Sequence, residues 1–501
     1  MPRQPGATLG SALLAAARSA PGAPALVGDH GTLSWAELSA RVQSVARRLI
    51  VLAGAGGAVE AGRTPRPHAL ALRPDRDDVV VLLAHALAGI PLLPLHPALP
   101  AADARRLALA VGAHSLTLAQ CLEPAPDAVA VRDVQAGDDL FLVPTSGSSG
   151  SPKLARLSHG AVLAAAAALT CRLPFGPQDR WILTLPLSHV GGLSVLTRCL
   201  CARRPVVLVP RFSEDALWSA MARDGGTRLS AVPAIADRLL AADAGGRLER
   251  LTLLMLGGQA APLALRQALA EAGVPAVASY GLTESGAAAA CEARADAGQL
   301  RPGCGTALRG MRIAITSADG LALPAGAPGR IRLAGPALLS GYAGRPDLAV
   351  LDEGGWLDTG DLGWLDDAGR LHVQGRRAEV IVSGGEKIVP GVVEAALREH
   401  PLVRDAVVFG LPDARWGALV CAAVEGAPGL VADASLHELL ATLLPPWARP
   451  RRWARFDALP RLNTGKVDRR GTPALATPLL QAWPSAGGTT GDDAAEDPAP
   501  A

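Results

Sequence analysis

From about residue 30 to 280, short apolar runs alternate with stretches of helical period. The runs Leu140–Val143, Trp181–Leu185, Val206–Val209, Leu229–Val232, Leu251–Leu256 and Val274–Ser279 are continuous rather than alternating, the pattern of strands buried on both faces. Helices are predicted between them. Ser158–Leu169 opens on a capping serine, Glu214–Arg223 follows Ser213, and Pro262–Ala272 has proline in its first turn and Gly273 just past its end. Such alternation predicts βαβ units and a largely parallel sheet. Upstream, Leu9–Ala17 reads as a short helix, because Gly10, Ser11 and Arg18 interrupt any signal-like apolar core. The longest apolar run, Val79–Leu95, contains His85, Pro91 and Pro94, so it predicts a buried helix followed by a strand rather than a membrane span.

After about residue 305 the texture changes. Gly329–Leu333 and Leu371–Val373 are short and flanked by Gly and Asp, and Asp366-Asp367-Ala368-Gly369 predicts a hairpin turn. Beyond Val380 a smaller α+β region is expected, with Val392–Glu399 helical and Ala406–Phe409 and Leu419–Val424 as strands. Residues 485–501 carry no apolar periodicity and predict a disordered acidic tail.

Length and composition narrow the classes. The 501 residues amount to roughly three domain-sized units. With 49% apolar and 19% charged residues, a large core is available and wholesale disorder is excluded. Lys plus Arg number 48 against 46 Asp plus Glu, so no basic field exists to hold nucleic acid. Seven scattered cysteines form no CxxC pair, which points to a reducing, cytoplasmic compartment with neither a disulfide framework nor a zinc site.

The chemistry concentrates first in Thr145-Ser146-Gly147-Ser148-Ser149-Gly150-Ser151-Pro152-Lys153. Glycines let backbone N–H groups converge on an anion, hydroxyls add donors, and Lys153 adds charge. A strand is expected directly before this loop, and a helix directly after its basic residue. The Walker A spacing fails at Pro152, and no GxSxG register fits a nucleophile elbow. A flexible Gly/Ser linker is the alternative for such a cluster taken alone.

TSGSSGSPK resembles the signature of the adenylate-forming superfamily of acyl- and aryl-CoA ligases, luciferases and peptide-synthetase adenylation domains. The likeness continues in order through SYGLTES (279–285), WLDTGDLGWLDDAGRLHVQGR (356–376), SGGEKIVP (383–390) and LPRLNTGKVDRR (459–470). It implies an α/β fold. A large N-terminal domain, residues 1–375, would hold mixed and parallel sheets flanked by helices plus a distorted β-barrel region. A hinge would lie at 376–379, and a small mobile α+β domain at 380–475. It implies ATP, Mg2+ and coenzyme A acting with a small carboxylic acid, and a homodimer as one oligomeric state. The chain departs from the pattern at Leu154, Arg330 and Val392, where Gly, Glu and Glu are usual.

Carried over residue by residue, Thr145, Ser146, Gly147, Ser148, Ser149, Gly150 and Lys153 would embrace the β- and γ-phosphates. Thr283 would bond phosphate, and Glu284 would hold Mg2+. Tyr280 and Gly281 would flank adenine, with Gly258 also on the nucleotide side. Asp361 would take the ribose hydroxyls, and Arg376 would reach ribose and phosphate. Lys466 would bridge the substrate carboxylate and α-phosphate. Gly384 and Gly385 would line a pantetheine tunnel. Without the likeness, Tyr280 reads as a core aromatic, Asp361 as a turn residue, Arg376 and Lys466 as surface cations, and the Gly pair as a hairpin turn.

The acid is read from Leu185–Leu200, LPLSHVGGLSVLTRCL. No carboxylate stands near His189 to pair with a substrate amine, which disfavours amino acids. The segment most resembles o-succinylbenzoate–CoA ligases of menaquinone synthesis, with His189 at the acyl pocket and a basic residue nine positions on, Arg198. A guanidinium neutralises a second, unreacted carboxylate through two parallel hydrogen bonds. A structural arginine is the alternative there. Gly257 and Gln259 would floor the pocket, which could also take another aryl or medium-chain acid, and the acceptor could be a carrier-protein arm.

Overall fold

The computed structural model describes residues 7–54, 65–126, 133–145, 153–427, 430, 434–462 and 465–483. It divides into two compact units, residues 1–373 and 374–501. The expected tail lies outside the described residues.

In the first unit a nine-stranded sheet runs in the order Thr306–Ala307, Ala290–Cys291, Ala276–Tyr280, Leu253–Leu256, Arg228–Ala231, Trp181–Leu183, Val206–Leu208, Pro24–Val27, Leu33–Ser34. The six strands from Ala276–Tyr280 through Pro24–Val27 are mutually parallel. All six apolar runs became strands, displaced by a residue or two. The Leu251–Leu256 run starts its strand only at Leu253, because Leu251 closes a 3-10 turn, Arg247–Arg250. The caps are where the sequence puts them. Ser158 accepts from Ala161 N and Ser213 from Ala216 N, each at 3.1 Å, and Gly273 follows the helix Leu263–Glu271 with φ +70°. The helices Leu9–Ser19 and Arg76–Ala88 and the strand Leu92–Leu95 also match expectation.

The order of this sheet locates a crevice. From Trp181–Leu183 the chain moves to one side, to Val206–Leu208, then crosses back to Arg228–Ala231 and continues outward on the other. Connections on opposite sides leave the carboxyl ends of Trp181–Leu183 and Arg228–Ala231 uncovered, and ligands of parallel α/β sheets bind at such reversals.

A second sheet of six strands runs Gly341–Tyr342, Lys153–Ser158, Asp139–Thr145, Leu92–Leu95, His68–Ala71, His114–Ser115. It corrects one expectation. The residues after the Gly/Ser loop form a strand, Lys153–Ser158, antiparallel to Asp139–Thr145, and the helix His159–Arg172 starts later. Leu154, Ala155 and Leu157 are buried against the sheet, and that burial selects strand over helix. A helix N-terminus is therefore not what faces the loop.

A four-stranded antiparallel sheet, Arg312–Thr316, Gly329–Ala334, Leu357–Leu365 and Leu371–Arg376, supplies the barrel-like region. An isolated bridge, Thr306 to Arg370, links it to the edge of the large sheet. Its predicted turn is present: the Asp366 carboxylate accepts from Ala368 N and Arg370 N.

The second unit packs the helix Pro390–Arg398 on a sheet of Val403–Asp413, Gly417–Gly426, Arg452–Phe456 and Gln481–Ala482. Val393, Leu397, Val408, Val420, Val424 and Trp453 form its core. Among the described residues no helix is long and apolar enough to cross a membrane.

Candidate active site

Two carboxyl-end segments of the first unit carry part of the predicted set. The strand Leu253–Leu256 runs out into Gly257, Gly258 and Gln259. The strand Ala276–Tyr280 runs into Gly281 and a 3-10 turn, Thr283–Ser285. A side chain at Gly281 would collide with the backbone of Ala287 and Ala288, so only glycine lets the chain turn back here. The Ser285 hydroxyl accepts from Leu282 N at 3.1 Å and fixes the turn, leaving Thr283 and Glu284 half-buried at its outer side.

Asp361 reaches the site through a bulge. Arg330 pairs with Leu362 and Arg332 with Asp358, so Thr359-Gly360-Asp361 face Ile331 alone. Gly360 takes φ +74°, which a bulge of this kind requires. Thr359 Oγ1 donates to Ile331 O at 2.8 Å and accepts from Asp361 N at 3.0 Å. The buried Asp361 carboxylate then meets the Tyr280 hydroxyl at 2.6 Å. Glu284 Oε1 accepts from the Tyr342 hydroxyl at 2.8 Å. The chain has two tyrosines, and each hydroxyl is bonded to one of the two site carboxylates.

Thr145 and Lys153 are opposite one another across the antiparallel strand pair. Ser146, Gly147, Ser148, Ser149 and Gly150 lie outside the described residues. Lys153 Nζ stands 5.2 Å from the Tyr342 ring centroid.

His189 is the residue before the helix Val190–Ala202, half-buried, its N–H donating to Pro186 O at 3.2 Å. Arg198 lies on the same helix, packed against the sheet and 2% exposed. Its guanidinium stacks on the Trp181 ring at 3.8 Å, donates to Ser230 Oγ at 3.0 Å and lies 3.5 Å from the Met255 sulfur. Burial lowers its pKa to about 10. Among the described residues no carboxylate pairs with it, and its Nε has no partner. Its neighbour Arg228, also on Trp181, shows the contrast: it is ion-paired with Asp179 at 2.5 Å.

In the second unit, Leu462 N donates to Lys466 O at 2.7 Å. Burial, and then the charge of Arg376, pull the Lys466 ammonium below the usual lysine range. Arg376 itself is exposed. Three residues on from Lys466, Arg469 donates from Nη1 to Glu394 at 2.8 Å and from Nε to Glu379 at 3.0 Å. Gly384 and Gly385 form the turn between Ile381–Ser383 and Glu386–Ile388, and Gly384 packs against Trp416.

Tyr342, Ser230 and Arg469 were missed from the sequence. Tyr342 had one signal: it is one of only two tyrosines. Ser230 and Arg469 had none beyond lying in a strand run and beside the lysine motif.

The family model for AMP-binding enzyme matches residues 109–343, and that for the AMP-binding enzyme C-terminal domain matches 392–466. The 2-succinylbenzoate--CoA ligase of Bacillus cereus (strain AH820) is 32% identical over 350 residues, 69% of this chain and 72% of the relative. That of Bacillus cytotoxicus is 33% identical over 352 residues, again 69% and 72%. The o-succinylbenzoate CoA synthetase of Bacillus subtilis, solved with its acyl-adenylate intermediate, superposes with a TM-score of 0.81 at 28% identity, covering 94% of this chain and 98% of that one. The same synthetase with ATP and magnesium ion gives 0.81 at 28%, covering 92% and 99%. The chain belongs to the AMP-binding enzyme family, as an AMP-forming acid–thiol ligase.

Proposed function

We propose that the enzyme is an o-succinylbenzoate–CoA ligase. A carboxylate oxygen attacks the α-phosphorus of ATP and pyrophosphate leaves. The thiol sulfur of coenzyme A then attacks the acyl carbon and AMP leaves. The observation that carries the choice of acid is Arg198, a buried guanidinium with no ion-pair partner among the described residues. Burying an uncompensated cation costs several kcal/mol, a cost that a ligand carboxylate offsets. o-Succinylbenzoate has two carboxylates and only one reacts. Arg198 holds the other.

The remaining roles follow from charge. Lys153, Thr145 and Thr283 take phosphate oxygens, Asp361 accepts from the ribose hydroxyls beside Tyr280, and His189 stands at the head of the acyl pocket. A carboxylate, Glu284, next to a phosphate-binding turn is a donor set that suits Mg2+, which supplies charge neutralisation when bound. Lys466 places a cation where charge develops between carboxylate and α-phosphate. Arg376, the Gly384–Gly385 turn and the 376–379 segment serve the second half-reaction and the change between the two. The seven cysteines are free, which fits a reducing compartment such as the cytoplasm.

The test is a substrate panel. Pyrophosphate release, then coenzyme A-dependent AMP release, is measured with o-succinylbenzoate, benzoates and fatty acids. The reading requires o-succinylbenzoate to give the highest kcat/KM. A preference for a monocarboxylate overturns it, and release of AMP only with a carrier protein overturns the coenzyme A assignment.

A further inference from the structure

Tyr342 touches both charged groups that the adenylating reading sends to the polyphosphate. Its hydroxyl donates to Glu284 Oε1 at 2.8 Å, and Lys153 Nζ lies 5.2 Å from its ring centroid. The backbone holds it between them. Gly341–Tyr342 pairs with Arg156 and Ala155 on the lysine strand, and Ala343 N donates to Leu154 O at 2.8 Å. Leu339 N donates to Glu284 O at 2.9 Å. Residues 339–343 therefore clip the strand bearing Lys153 to the turn bearing Glu284.

An ammonium and a carboxylate this close to one phenol would ordinarily pair. Among the described residues neither Lys153 nor Glu284 is in an ion pair. The phenol occupies both: its ring face takes the cation and its hydroxyl the anion. We propose that Tyr342 is a positioning residue for the metal–nucleotide complex. Its hydroxyl orients the Glu284 carboxylate for a divalent cation, while its ring keeps the Lys153 ammonium away from that carboxylate and free for phosphate.

The proposal rests on the adenylating reading, and its test separates the two. ATP binding is measured by calorimetry with a chelator present and again with saturating Mn2+, and the ratio of the two affinities reports what the metal contributes. Partners that orient a metal-bound carboxylate are typically worth about 10–100-fold in metal affinity. Tyr342→Phe should cut the metal contribution by about 10-fold or more and leave metal-free ATP affinity within about twofold. Tyr342→Leu, which also removes the ring from Lys153, should weaken metal-free ATP binding as well. In a Glu284→Gln background Tyr342→Phe should add nothing to the metal effect, and this cycle decides the matter even where the single variant loses thermal stability. A full metal contribution in Tyr342→Phe, or an undiminished effect in the Glu284→Gln background, overturns the proposal. Failure of the wild type to bind ATP under either condition overturns the adenylating reading instead.

Discussion

The Tyr280 hydroxyl donates to Asp361 Oδ2 at 2.6 Å across 81 residues of sequence, inside the core. Asp361 is thus aimed before any nucleotide arrives. A hydrogen bond to a charged acceptor contributes about 1.5–3 kcal/mol, part of which the arriving ribose hydroxyls replace. Tyr280→Phe keeps the ring and removes the bond. The KM for ATP should rise about 10-fold with a smaller change in kcat, measured by pyrophosphate release. An unchanged ATP KM would show that Asp361 is held by its bulge alone.

The parts that were legible in the sequence are those where one local signal decides. Parallel strands buried on both faces read as continuous apolar runs, and Ser158, Ser213 and Gly273 mark helix ends by their own chemistry. What escaped is long-range. Gly341–Tyr342 is too short to show a period, and it meets Glu284 only because 58 residues of chain fold back. Lys153–Ser158 carries Lys153 and Arg156 among its apolar residues, and its pairing with Asp139–Thr145 and Gly341–Tyr342 makes it a strand. Arg198 was singled out by its position, but that no carboxylate among the described residues pairs with it is a fact of packing.

His68 and His85 lie buried with Nδ1 and Nε2 3.1 Å apart, and His85 Nδ1 is 2.8 Å from Val81 O. Burial, with His85, His114 and Arg66 adding for His68, lowers their pKa values to about 3 and about 4. The unfolded chain binds these protons near pH 6.5, so stability falls as pH drops below that value. Asp78 opposes this: burial raises its carboxyl to about 6, so between about 6 and 3.8 the folded chain holds a proton that the unfolded chain lacks. Two protons against one leave roughly 1.4 kcal/mol lost per pH unit between about pH 6 and pH 4. The thermal midpoint should fall over this range, and less steeply in His85→Gln. Equal slopes in the two proteins would assign the acid sensitivity elsewhere.

Lys466→Ala should remove a cation from the first half-reaction. The expected loss is on the order of 3–4 kcal/mol, roughly 100- to 1000-fold in adenylation rate, with far less effect on thioester formation from supplied acyl-adenylate. The like charge of Arg376 lowers the Lys466 pKa. Removing that charge favours the ammonium, so Arg376→Gln should shift the alkaline limb of the adenylation profile to higher pH at saturating ATP. A shift to lower pH would show that Lys466 does not carry that limb.

Arg198 and Arg228 share the Trp181 ring, yet among the described residues only Arg228 has a carboxylate partner. This asymmetry separates a structural from a substrate-binding guanidinium. If Arg198 were structural, replacing it would destabilise the fold, as loss of either member of the Arg228–Asp179 pair should, by about 3–5 kcal/mol. If it is kept for a ligand, the unliganded enzyme bears the cost of burying it, and an apolar residue of similar length relieves that cost. Arg198→Met should therefore hold or raise the thermal midpoint without substrate. The same change should lower kcat/KM for o-succinylbenzoate by about 10- to 150-fold, the equivalent of 1.5–3 kcal/mol for a charged hydrogen bond. The ATP KM should stay nearly constant, as should any residual activity on a simple benzoate. Added o-succinylbenzoate should raise the midpoint of the wild type and not that of the variant, because only a ligand that binds the folded state stabilises it. A lower midpoint together with equal losses on both acids would make Arg198 a core residue and remove the ground for assigning a dicarboxylate.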